Sequence, residues 1–172
     1  MRHVRRGGAY LRVADPSWRD PLSGEYARSR GGRWNAPGAF SVVYLNASLG
    51  VARALVRSQL EERGIRPEDV LPEAGPLLVH TTVPDNAYVN AVTDAGLRAL
   101  HLPATYPLDD RGRVIPHGVC QPIGRLAWDA GEQGIACRSA TKGAPTTGEE
   151  LAYFSRQRLH VERIEQFADW FS

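Results

Sequence analysis

A chain of 172 residues suits one domain and can bury a proper core without disulfides or a structural metal. A formal net charge of +2 excludes a polyanion binder of the histone type. Two cysteines, Cys120 and Cys137, make no CxxC pair and fit no zinc spacing; with no signal peptide and no long apolar run, a cytoplasmic, metal-free protein with reduced thiols is expected.

In chain order, residues 1–8 read as a flexible, Arg-rich N-terminus and residues 9–172 as one domain. Ala9–Asp15 reads as a short strand, followed by a long Pro/Gly-punctuated loop. Ala39–Leu45 has the β-branched and aromatic content of a buried strand. Ser48 caps a helix that Gly64 stops, with Leu49, Ala52, Leu55, Val56 and Leu60 on one face and an Arg57–Glu61 pair on the other. Pro76–Pro84 reads as a strand and Thr93–Pro103 as a short helix. Residues 104–118 read as a loop that could cover a site. Cys120–Gly134 suggests a helix with Pro122 in its first turn. Gly134–Ala140 and Glu150–Ser155 are strands, and the tail is a strand or a short helix docking Trp170 and Phe171. Short strands with few helices between them, in no regular alternation, give an α+β class.

The basic residues are unusual in kind, because of 21 Lys and Arg only Lys142 is a lysine. The global excess fits GC-rich codon usage, but one stretch stands apart from it. Between Glu25 and Glu61 there is no acid, while Arg28, Arg30, Arg33 and Arg53 fall in that span. At its centre is GGRWN. Gly31 and Gly32 permit close backbone approach and an anion nest. Arg33 has a fork matched to two phosphate oxygens, Trp34 an aromatic face, and Asn35 a donor and an acceptor. A bound anion would satisfy this group, although a plain turn with an Arg–acid bridge is the simpler alternative. Tyr44 could stack on a flat ring, donate its hydroxyl, or sit in the core. Arg12 is a charge in an apolar run and points either to solvent or to a site. Ser139 ends a strand without the GxSxG of a hydrolase elbow, and the histidines, His80 and His101 included, suggest no role.

The runs YLRV, GGRWNAPGAFSVVYLNAS, CQPIGRLAWDAGEQGIACRSA and GEELAYFS resemble the RES-domain family over roughly residues 9–156. The resemblance implies a single α+β domain similar to ADP-ribosyltransferases, with short mixed β-sheets and a few flanking helices. It implies a toxin that degrades NAD+ by hydrolysis or phosphorolysis and is neutralised by an Xre-like helix-turn-helix antitoxin. It makes Arg33, Tyr44 and Ser139 the catalytic candidates, and Arg12, Gly32, Arg33, Trp34, Asn35 and Tyr44 the NAD+-binding ones. Phosphate or a protein could accept the ADP-ribose, and a homodimer stays open. Nucleic acid and membrane are not expected partners. The family glutamate should fall near Leu55, where there is no acid; Glu61 and Glu62 lie nearly two turns later, about 9–10 Å along the helix. Glu61, Glu149 or Glu150 would have to supply the carboxylate. Protein mono-ADP-ribosylation and a non-catalytic nucleotide- or partner-binding module are the alternatives.

Overall fold

The computed structural model describes residues 1–171. Its strands are β1 (His3–Ala14), β2 (Val42–Asn46), β3 (Leu77–Ala91), β4 (Gly134–Arg138), β5 (Glu149–Phe154) and β6 (Arg163–Glu165). Its helices are α1 (Glu25–Arg30), α2 (Leu49–Glu62), α3 (Asp94–Ala99), α4 (His117–Asp129) and α5 (Phe167–Trp170). The strands form one mixed six-stranded sheet in the order β1-β2-β5-β4-β3-β6, and β1 also pairs with β3, so the ladder returns to its starting strand. The expected α+β class holds.

The apolar runs of β2, β4 and β5 arise because both faces of these strands are covered. Successive residues alternate between two cores: Val42, Ile135 and Phe154 fill one, and Val43, Ala136 and Tyr153 fill the other. A third core joins Ala52, Val56 and Leu60 of α2 to Phe167, Trp170 and Phe171. The tail therefore does both things expected of it, adding β6 to β3 and then docking its aromatics. Ser48 caps α2, its side chain accepting from the Val51 amide. Gly64, at φ +67°, ends the helix where only glycine is at ease.

Four expectations need correction. Residues 3–8 are not a flexible tail but the first half of β1, with His3 opposite Val89 and Arg6 opposite Asn86. Arg6 grips both carboxylate oxygens of Glu149 at 2.8 and 3.0 Å, and Arg5 reaches Asp85. β3 runs past Pro84 because Pro84 and Asp85 sit where the β1–β3 register shifts, and no ladder donor is needed there. Gly7 stands against this bulge, where an added Cβ would lie 2.6 Å from the Asp85 Cα. α4 starts at His117, so Pro122 falls inside it rather than in its first turn, and the helix does without the amide bond a proline cannot give. Arg57 lies over the Phe171 ring, and Glu61 is taken by Lys142 at 2.8 Å.

The register aligns the elements that matter for the site. Leu11 of β1 faces Asn46 of β2, and Asn46 faces Glu150 of β5. This places the ends of three strands side by side, with α2 leaving directly from β2.

Candidate functional site

A cavity of about 320 Å³ opens over these strand ends. Arg12 enters it from β1, Tyr44 and Asn46 from β2, Leu55 from α2 and Glu150 from β5. Gly31, Gly32 and Arg33 line it from the loop after α1, and Trp18, Tyr26, His117 and Thr141 complete the rim.

Arg12 is 5% exposed, and its Nη1 has no hydrogen-bond partner. Burial holds its guanidinium down to about 10 against the partial support of Asp20. Its charge lies 5.1 Å from the Trp18 ring, which in turn packs on Tyr26 with centroids 4.9 Å apart. Arg33 donates from Nη1 to the Ile115 carbonyl at 2.8 Å, so the 104–118 segment does fold against the site. Among the described residues, neither arginine is in an ion pair. The other arginines of the acid-free stretch do not converge here: Arg28 faces Glu25, Arg30 lies over Tyr26, and Arg53 donates to the Trp170 carbonyl.

The GGRWN turn works differently from the expected anion nest. The Gly31 amide donates to the Ala27 carbonyl and the Gly32 amide to the Asn35 carbonyl, both at 2.8 Å. The Trp34 amide donates to the Tyr44 hydroxyl at 2.8 Å. With these amides engaged inside the protein, the positive charge facing the cavity comes from side chains. Gly32 is required by packing: a Cβ there would lie 2.5 Å from the Tyr44 ring.

Trp34 and Asn35 turn inward, away from the cavity, contrary to their expected contact with a cofactor. Both are fully buried. The Trp34 indole donates to the Cys137 sulfur, and Asn35 donates to the Ala27 and Phe40 carbonyls. Composition does not say which side of a turn faces the core. Tyr44 presents its ring to the cavity, while its hydroxyl donates to Asn35 Oδ1 at 2.8 Å and is not available to a ligand as a donor. Burial pushes that hydroxyl's pKa well up, which keeps it neutral.

Ser139 lies beside the cavity and donates to Glu150 Oε1 at 2.5 Å; the Thr141 hydroxyl reaches the same oxygen at 3.3 Å. Burial raises the Glu150 pKa, and Ser139, Thr141 and Arg33 pull it back. Of the three acids considered in place of the one absent at Leu55, Glu61 is tied to Lys142 and Glu149 to Arg6. Glu150 is the one in the cavity, and Leu55 forms part of the same lining. Trp18, Tyr26, Asn46 and His117 were missed altogether. The available signal was a pair of aromatics in a polar loop. Desolvation and the nearby Arg33 charge hold the His117 imidazole below its usual value.

Fold and site together define a single-domain α+β protein whose cleft is walled by two arginines that have no ion-pair partner among the described residues, an aromatic ring and one carboxylate. The chain belongs to the RES-domain family, whose model matches residues 9–169. It is 33% identical over 124 residues to the NAD(+) phosphorylase MbcT of Mycobacterium bovis and of Mycobacterium tuberculosis. That alignment covers 71% of this chain and 62% of those proteins, so it spans about three fifths of their length. The fold is also similar to a solved structure, the M. tuberculosis MbcT–MbcA toxin–antitoxin complex. Its TM-score is 0.78 at 24% identity, covering 98% of this chain and 91% of the other.

Proposed function

We propose that the protein degrades NAD+ by cleaving its nicotinamide–ribose bond, with inorganic phosphate as acceptor, and is the toxin of a toxin–antitoxin pair. The observation that carries this reading is Arg12, a buried guanidinium with an unpartnered nitrogen in a cavity it shares with Arg33. A buried charge without a counterion is costly unless the counterion comes with the ligand. Two forked cations in one cleft suit a diphosphate. The Tyr44 ring supplies a flat apolar wall for a base or sugar. The 33%-identical MbcT proteins, named as NAD(+) phosphorylases, support the choice of substrate and acceptor. The similarity in fold to the toxin of the MbcT–MbcA complex agrees with an antitoxin partner, here an Xre-like one acting in the cytoplasm.

In this reaction the C1–N1 bond of the nicotinamide riboside breaks and its electron pair stays on nitrogen. Nicotinamide leaves neutral and needs no acid. A phosphate oxygen closes on the cationic ribose, giving ADP-ribose 1-phosphate and releasing the phosphate's proton to solvent. Protein contributes by fixing the diphosphate and orienting the ring, and by stabilising the positive charge that grows on the ribose.

The test is NAD+ loss by purified protein, with and without phosphate, beside Arg33→Ala. Loss that needs phosphate and disappears in the variant is the expected result. Loss independent of phosphate would make the enzyme a hydrolase, and labelled ADP-ribose on a protein would make it a transferase. No loss in any arm by folded, antitoxin-free protein would overturn the catalytic reading in favour of a non-catalytic module.

A further inference from the structure

We infer that Glu150 is the group that meets the cationic end of the ligand, and that it makes the site select an oxidised over a reduced nicotinamide. This rests on the NAD+ reading above and deepens it.

Glu150 is the one acid among the residues that line the cavity. It is not neutralised by the two arginines there, since among the described residues it forms no ion pair. Its side-chain partners, the Ser139 and Thr141 hydroxyls, both address Oε1. Among the described residues Oε2 has no donor, yet it is not one of the fully buried atoms left without a partner. It therefore stays open to the cavity. Two hydroxyls fixing one oxygen and leaving the other free orient a carboxylate rather than satisfy it.

The cavity thus presents two guanidiniums and a single carboxylate that, among the described residues, is in no ion pair with either. A ligand complementary to that pattern carries a diphosphate at one end and a cation at the other. NAD+ has both, because its nicotinamide nitrogen is quaternary. NADH has the same diphosphate and a neutral nicotinamide ring, and ADP-ribose lacks that ring altogether. Asp20 supports Arg12 from outside the lining, Leu55 gives α2 an apolar wall in the cavity, and the acid next to Glu150 in sequence, Glu149, is locked to Arg6. Glu150 takes no proton and forms no bond in this role. It holds the cationic ring, and it favours the spread of that charge onto the ribose as the bond opens.

The experiment is calorimetric binding at pH 8 of carba-NAD+, NADH and ADP-ribose to the wild type and to Glu150→Gln. Carba-NAD+ keeps the cationic ring, and a methylene in place of the ribose ring oxygen stops cleavage. An ion pair at this depth, partly screened, suggests about a tenfold preference for carba-NAD+ over NADH in the wild type. Glu150→Gln should abolish that preference by weakening carba-NAD+ alone, with ADP-ribose within about twofold of wild type. Retained ADP-ribose binding also shows that the variant is folded. A preference that survives the substitution overturns the inference, as does a parallel loss of all three ligands, which would make Glu150 a framework residue. If the wild type binds ADP-ribose but does not discriminate the two nicotinamides, the inference fails while the diphosphate site stands. If the wild type binds none of the three, the NAD+ reading fails and the inference with it.

Discussion

Replacing Arg12 with methionine should make the empty protein more stable and its ligand weaker. Arg12 is 5% exposed, has an unpartnered Nη1, and is pushed by burial well below the usual guanidinium range, to about 10. At about 1.4 kcal/mol per pH unit, that depression corresponds to roughly 3 kcal/mol against keeping the charged form inside the fold. The Trp18 ring at 5.1 Å returns about 1 kcal/mol. The net is about 2 kcal/mol, or about 6 °C in Tm for a domain of this size. The sign follows from linkage. A base whose folded-state pKa is depressed carries its full cost below the folded value, and the cost fades only above about pH 10, as pH climbs toward the ordinary guanidinium value. At pH 7.5 the whole difference should therefore be visible. The assay is thermal melting of wild type and Arg12→Met, each with and without ADP-ribose. Wild type at a hundredfold excess over Kd should gain about 2.7 kcal/mol. The variant should melt higher when empty and gain far less, since losing a charge-assisted contact costs about 1.5–3 kcal/mol, or about 10–100-fold in affinity. A variant that melts lower than wild type and responds equally to ADP-ribose would refute the reasoning and make Arg12 a packing residue.

Tyr44→Phe keeps the ring and removes the hydroxyl, leaving the Trp34 amide and Asn35 Oδ1 without partners. Denaturant melts should show a loss of about 1–3 kcal/mol, with NAD+ turnover retained at temperatures where the variant is folded. Ser139→Ala removes the strongest of the interactions that hold the Glu150 pKa down. Since activity needs the carboxylate ionised, the acid limb of the NAD+-consumption profile should move to higher pH, with the alkaline plateau little changed.

The parts of the fold that local pattern determines were readable in advance. β2, β4 and β5 are apolar runs because both faces are buried, and α2 carries its own cap and stop. The start of β1 and the second half of β3 are held by each other. Their polar residues find partners some 80 positions away, which no window along the chain reveals. In the site, Arg12, Gly32, Arg33 and Tyr44 do line one cavity, with Ser139 beside it. Trp34 and Asn35 share that motif yet face inward, because Asn35 must satisfy the carbonyls of its own turn. The choice between Glu149 and Glu150 could not be made from composition. Neighbours on a strand point to opposite sides, and only the pairing of β5 decides that one meets Arg6 and the other the cavity.

The Leu11–Asn46–Glu150 alignment makes the site a ruler. Arg12 stands one residue beyond the point where β1 touches β2, and Glu150 lies across the far edge of β2. Backbone hydrogen bonds set each step at about 4.8 Å, so β1 and β5 are held about 10 Å apart. Exchanging side chains in the cleft can change which groups meet a ligand, but the spacing of the strands that carry Arg12 and Glu150 is a property of the backbone.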